Sequence, residues 1–248
     1  MSDTLADTGT STQEVRPRSE NRLRIFWRRF SHNKLAVVGL VIIALMILTA
    51  LLAPLLAPYD PYAQDYATTL LPPDGSHLMG TDSLGSDVLS RVIYGARISL
   101  QASLISVGIA LAVGVPLGLV AGYFRGFVDE WIIMRFVDSV QAFPFLILAL
   151  VIAAILGGGL GYAMVAIGVG FVPAFVRITR AQVLTVRSLE YVQAARSVGA
   201  GNTRIIMRHV LPNSLPPLLV QTTLALGYAI IAEATLSFLG LGAEPGVP

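Results

Sequence analysis

Long stretches without a charged side chain alternate along this chain with short polar ones. Residues 35–59 form an uncharged run of 25, longer than the ~20 residues a helix needs to cross hydrocarbon. Residues 98–124 follow, and then 139–176, whose 38 uncharged residues are nearly enough for two crossings. The run Gly157-Gly-Gly-Leu-Gly161 divides that stretch into spans at about 139–156 and 162–178, joined by a tight turn outside the membrane. Residues 215–241 give a fifth span, opened by Pro216 and Pro217, which a first helical turn tolerates. The pattern predicts an all-α polytopic membrane protein with five transmembrane helices. A cleaved signal peptide would show an apolar region of about 7 to 15 residues, so 35–59 reads as a retained span.

The polar segments carry their own signals. Residues 1–20 are rich in Ser, Thr, Asp and Glu, have too few apolar side chains to pack, and read as a disordered tail. Residues 21–75 form an anchor region around the first span. Residues 76–97 hold a short amphipathic helix with Ser86 as its N-cap and Val88, Leu89, Val92 and Ile93 on one face. Arg125, Asp129, Glu130 and Arg135 mark a short charged loop, closed by Asp138.

The loop at 188–213 is the most informative stretch. Ser188 can cap a helix that has Glu190 in its first turn, where the helix dipole favours a carboxylate. At 100° per residue, Tyr191, Ala194, Ala195 and Val198 share one face, while Gln193, Arg196 and Ser197 share the other. Gly199 and Gly201 stop that helix. Asn202 can cap a second one that Pro212 ends, with Thr203, Ile206, Met207 and Val210 opposite Arg204, Arg208 and His209. That division suits the lipid headgroup boundary.

Composition agrees with the membrane reading. The 248 residues are 54% hydrophobic and 13% charged, against about 25% charged in a soluble domain, and mean hydropathy is +0.71. There is no cysteine, so neither disulfides nor thiolate metal sites are available. A pI of 9.1 could point to nucleic acid, but the basic residues flank apolar spans, where orientation in lipid accounts for them. Fifteen of the 17 basic residues fall in residues 1–34, the 125–135 loop and the 177–208 segment, and only Arg91 and Arg97 fall in 60–97. The positive-inside rule then places the N-terminus and the 188–213 loop in the cytoplasm of a multi-pass plasma (inner) membrane protein.

Other candidates are few. His77 stands among aspartates without metal-ligand spacing. The 157–161 glycine run follows no strand and carries no Gly-Lys-Ser/Thr, which argues against phosphate binding. Gly114, Gly118 and Gly122, four apart, would let helices approach closely in lipid. Pro116 among them implies a kink, read either as a pore-facing bend or as part of helix packing. Glu233 is the one acidic residue within a span, a candidate for substrate or gating contact or for structural pairing.

Two motifs carry a family resemblance. Gln193-Ala194-Ala195, Gly199, His209 and Leu211-Pro212 resemble, at matching spacing, the coupling loop of bacterial ABC-importer permeases, known by its Glu-Ala-Ala motif. Here Gln193 replaces the motif glutamate and His209 an isoleucine, leaving Glu190 as the acid of the loop. The stretch from His77 to Arg97 resembles the signature of the C-type permeases of dipeptide and oligopeptide importers, with Gly85-Ser86-Asp87 where that family has Gly-Arg-Asp. The surroundings of Glu233 are also similar to that family.

The resemblance implies a type I ABC-importer permease fold with its core at 95–248, and a chain that is itself no enzyme. It implies no cofactor. The implied partners are a second permease subunit, two cytoplasmic ATP-binding subunits that hydrolyse ATP, an extracytoplasmic solute-binding protein, a small peptide substrate and membrane lipid. Glu190, Tyr191, Gln193, Ala194, Ala195, Arg196, Gly199, His209, Leu211 and Pro212 would couple to the ATPase. The family carries a sixth helix after the fifth, so the chain is expected to be truncated. A secondary transporter or channel, expected to hold several ionisable groups at membrane depth, and a non-transporting membrane scaffold are the rival readings.

Overall fold

The computed structural model describes residues 27–28 and 30–242, which leaves the tail at 1–20 and the last six residues outside the described part. Residues up to Leu45 form one unit and those from Met46 onward another. Helix α1, Lys34–Leu56, realises the first span. Asn33 starts it, its Oδ1 accepting the Ala36 amide at 3.2 Å.

Between α1 and the next helix, the polar segment is tied into a compact knot. Tyr59 N donates to Ser90 Oγ at 3.1 Å and Tyr59 OH donates to Ser76 O at 2.9 Å. The His77 ring stacks on Tyr59, centroids 4.7 Å apart, with its Nδ1 3.0 Å from Asp87 Oδ1. Asp82 accepts the amides of Leu84 and Ser86 on one oxygen and Arg91 Nη1 on the other, at 2.6 Å. Gly85 has φ +76, and a Cβ there would lie 1.7 Å from Asp65 O. Only glycine fits that position.

Helix α2, Val88–Phe124, fuses the expected amphipathic helix with the second span. Nothing between 88 and 98 breaks the helix. At 37 residues it runs about 55 Å, far beyond the ~30 Å of hydrocarbon, so its first turns extend past the membrane. Its N-cap is Asp87 rather than Ser86, because the Asp87 carboxylate accepts both Ser90 N at 2.8 Å and Ser90 Oγ at 2.7 Å. Ser86 is buried, and its hydroxyl has no partner among the described residues. Burial pushes the Asp87 carboxyl up, but hydrogen bonds from Ser90 and His77 outweigh it and hold the group below the usual carboxylate range.

The expected 139–156 span is instead a broken pair. A π-helical turn, Val128–Ile133, leads into α3, Met134–Gln141, and α4, Phe145–Leu156, follows at a 95° bend. Pro144 is the cause, since the residue before a proline is driven out of helical geometry. With 12 residues, α4 is about 18 Å long and is a half-span. The expected charged loop at 125–135 is mostly helical, and Asp129 within it is buried. Both Asp129 oxygens accept from Arg180, at 2.7 Å each.

Gly157, Gly158 and Gly159 all have positive φ and turn the chain into α5, Leu160–Arg187. A Cβ at Gly114 would meet Phe175 Cβ at 2.6 Å, one at Gly118 Thr179 Cβ at 2.5 Å, and one at Gly122 Val183 Cβ at 2.7 Å. The glycine stripe is therefore the α2–α5 contact, the packing alternative. Contact positions on both helices rise together, from Ser106 Oγ bonded to Met164 O through to Gly122 against Val183. Helices α2 and α5 are thus parallel, as second and fourth spans must be when one crossing separates them. Pro116 lies inside the unbroken α2, on an exposed position away from that contact.

Among the described residues, four helices are long and apolar enough to cross a membrane, or five if the bent pair counts as one span.

Candidate functional site: the coupling loop

Helix α6, Glu190–Ser197, starts where the sequence indicates, with Glu190 in the first turn, but Ser188 does not cap it. The N-cap position is Leu189, and Ser188 Oγ turns back to donate to Thr185 O at 2.8 Å, closing α5 instead. Gln193 Nε2 donates to Ser188 O at 3.1 Å, staking the new helix to the old one. Gly199, at φ +84, ends α6, and the Gly199 and Ala200 amides return to Arg196 O and Ala195 O.

The second helix also departs from expectation at both ends. Gly201, not Asn202, is the N-cap of α7, Asn202–Ile205. Pro212 does not stop it: a π-helical turn, Ile206–Val210, leads directly into α8, Leu211–Phe238. Leu211 N reaches back five residues to Ile206 O, and the widened turn accommodates the proline ring and its missing donor. Pro212 then sits in the first turn of α8, a position proline suits.

The loop is fastened from below. Val192 is buried with Ile205, Val210, Val183, Val186 and Leu119 in one apolar cluster. Tyr123, at the end of α2 and 5% exposed, is the hub of the polar contacts. Its hydroxyl donates to Asn202 Oδ1 at 2.9 Å and accepts from Arg196 Nη2 at 3.1 Å, while the Arg196 guanidinium lies 5.7 Å from its ring centroid. Arg187 Nη1 donates to the carbonyls of Gly122 and Tyr123, at 3.1 and 2.8 Å. One aromatic side chain thereby joins α2 to α6 and α7, and the arginine below it joins α2 to α5.

Apart from Val192 and Ala195, all of α6 reaches the surface. Tyr191, Ala194 and Val198 are exposed, and Ala195 is half-buried. His209 is tilted against Tyr191, centroids 6.2 Å apart. Gln193, Arg196 and Ser197 turn toward Arg187 and Arg125 around a cleft of about 630 Å³. Gln193 and Arg196 tie the helix to the body through Ser188 O and the Tyr123 hydroxyl.

The remaining candidates lie elsewhere. Gly114 and Gly118 belong to the α2–α5 contact. Glu233, 5% exposed in α8, accepts Ser237 Oγ at 2.8 Å, which is the pairing alternative for this residue. Among the described residues there is no group of three or more metal-ligating side chains. Sequence reasoning missed Tyr123, Arg187 and the role of Asn202. The available signal was an aromatic closing a span immediately ahead of Arg125, the interfacial arrangement of a membrane helix end.

This is the architecture of an ABC-transporter permease of the type I importer fold. The model of the binding-protein-dependent transport system inner membrane component matches residues 114–247, and that of the N-terminal transmembrane domain of oligopeptide transport permease C matches residues 21–73. The chain belongs to this permease family. It is 42% identical to the dipeptide transport system permease protein DppC of Haemophilus influenzae, over 91% of this chain and 78% of the relative. It is 46% identical to the di/tripeptide transport system permease protein DppC of Pseudomonas aeruginosa, over 91% of this chain and 76% of the relative. The glutathione transport system permease protein GsiD of Pectobacterium atrosepticum is 42% identical, over 91% and 75%. Among solved structures, a chain of the MetNI methionine ABC transporter in an inward-facing conformation superposes with a TM-score of 0.56 at 23% identity, covering 61% of this chain and 76% of that one.

Proposed function

We propose that this chain is the C-type permease of a small-peptide importer, forming half of a pore with a second permease subunit. Two cytoplasmic ATP-binding subunits hydrolyse ATP, one of them docking on α6, and an extracytoplasmic solute-binding protein delivers the peptide. The N-terminus and the coupling loop face the cytoplasm, a placement that the distribution of basic residues supports. The observation that carries the reading is α6 itself: an exposed Tyr191, Ala194 and Val198 face on a helix whose opposite side is pinned to α2 and α5. A small-residue face admits a partner surface closely, and the pinning makes the helix a lever rather than a tether.

Within the chain, α6 joins α5 through Ser188 and Leu189, and it joins α8 through the short turn and α7. A push on α6 therefore reaches two long helices at once. Peptide as the solute rests on the dipeptide permease relatives. The test is uptake of labelled dipeptide and of glutathione by the reconstituted transporter with its ATPases and binding protein. Vanadate-sensitive dipeptide uptake supports the reading; uptake indifferent to vanadate and driven by an ion gradient sinks it.

A further inference from the structure

The cleft between α6 and the ends of α2 and α5 is lined by Arg125, Arg187 and Arg196 together with Ser188, Gln193 and Ser197. No carboxylate lines it, and none of its three arginines is ion-paired among the described residues. Arg187 and Arg196 are oriented by their bonds to the Gly122 and Tyr123 carbonyls and to the Tyr123 hydroxyl. Arg125 is held differently. Its backbone has φ 50 and ψ 179, a region essentially reserved for glycine. A glycine would sit there without strain, yet the position carries a guanidinium pointed into a cleft that already holds two others.

We propose that this cleft binds the phosphate of an anionic phospholipid headgroup. Three guanidiniums offer forked donors that match phosphate oxygens, and the site's net positive charge has no internal counter-ion. A lipid is the source because Arg125 follows directly on Phe124, the last residue of an apolar span, and both Phe124 and Phe127 are exposed beside it. The cleft therefore opens at the depth of the headgroups, and basic pockets between spans at that level suit such lipids. The occupant would brace α6 against α2 from the membrane side, opposite the face assigned to the ATPase. This inference rests on the coupling-loop reading only for placing the cleft on the cytoplasmic leaflet.

The test compares wild type with R125G, which removes the guanidinium and suits the local backbone. The assembled transporter is placed in phosphatidylcholine nanodiscs containing increasing phosphatidylglycerol, and bound lipid is read by native mass spectrometry without ATP. Wild type is expected to retain phosphatidylglycerol selectively, and R125G to bind it about fivefold more weakly, the worth of one arginine at an anionic surface. Inorganic phosphate should not displace the lipid. Equal retention by both proteins overturns the proposal, displacement by inorganic phosphate reassigns the site to a soluble anion, and loss of the ATPase subunits from R125G with lipid retained reassigns it to a partner carboxylate. Because binding is read without ATP, vanadate-insensitive uptake alongside selective lipid retention would fail the coupling reading alone.

Discussion

Tyr123→Phe removes one oxygen from the coupling apparatus and leaves the rest. The ring stays in its buried place, so the packing with Val183 and Val192 and the stacking of Arg196 are kept. Lost are the bond donated to Asn202 and the bond accepted from Arg196. A neutral hydrogen bond is worth about 1 kcal/mol net and one to a charged group about 1.5 to 3. Asn202 and Arg196 are both exposed and can turn to water, so about 2 kcal/mol is the reasonable total, near the low end of that sum. That shifts the balance between pinned and loosened α6 about thirtyfold. The assay is the ratio of peptide imported to ATP hydrolysed in proteoliposomes. On the proposed docking, ATP hydrolysis should persist while the ratio falls, because the ATPase would still engage the exposed face but would move a helix no longer tied to α2. A variant with an unchanged ratio would refute the lever argument. One whose hydrolysis and import fall together would show that Tyr123 serves assembly.

Other expectations follow from the same contacts. Ala194→Glu places a charge on the exposed docking face and should lower import without affecting insertion; Ala194 is a cleaner probe than the half-buried Ala195, and normal import by the variant would exclude docking there. Gly118→Val forces a side chain against Thr179 Cβ and Val176 O, and should lower stability in detergent by about 3 kcal/mol, at the upper end for overpacking, read as a fall in unfolding temperature. Asp129→Ala strips Arg180 of both its bonds and should cost about 3 kcal/mol, since the pair is largely buried; thermal unfolding checks it. For the knot between α1 and α2, the depressed pKa of Asp87 means its contribution is fully present above the ordinary carboxylate value of about 3.9 and is lost as pH falls through the folded value. Protease sensitivity at residues 60–87 should therefore rise only below about pH 4, and Asp87→Asn should weaken that dependence, leaving the part owed to Asp74, whose carboxyl the His77 and Ser76 bonds also hold low.

The spans were legible because an uncharged run is a composition signal that tertiary contacts cannot disguise. Their interruptions were less so. Pro144 and Pro212 each interrupt a helical stretch, yet one breaks a span by 95° and the other is absorbed by a π-helical turn. What separates them is the geometry of the preceding turn, and a sequence does not display it. The caps failed for a related reason: Ser86, Ser188 and Asn202 are good capping residues by type, but Asp87 offered two acceptor oxygens, Thr185 O competed for the Ser188 hydroxyl, and Tyr123 competed for Asn202. The Glu190 start and the Gly199 stop of α6 were readable from local spacing alone. Tyr123 was not, because its partners stand 73 and 79 positions away.

The route by which movement would travel from the loop into the membrane can be argued from helix continuity. From Asn202 to Phe238 the backbone is helical without a gap, 37 residues in all, or about 55 Å, and Pro216 and Pro217 lie inside α8 rather than opening the span as expected, because the helix already starts at Leu211. The base of this stretch carries Asn202, bonded to Tyr123, and its far end carries Glu233 and Ser237, bonded to each other. A rod of that length turns a small displacement at its base into a larger one at its end, provided the π-helical turn at Ile206–Val210 does not act as a hinge. Val210 is buried against Ile205 and Val192, and Ser214 Oγ donates to Val210 O at 2.9 Å across the junction. The buried apolar contact stiffens it. Ser214→Gly removes the hydroxyl bond and adds a flexible residue at that point, so import should fall while ATP hydrolysis and assembly are kept. A Ser214→Gly transporter that imports normally would place the transmission in α5 instead.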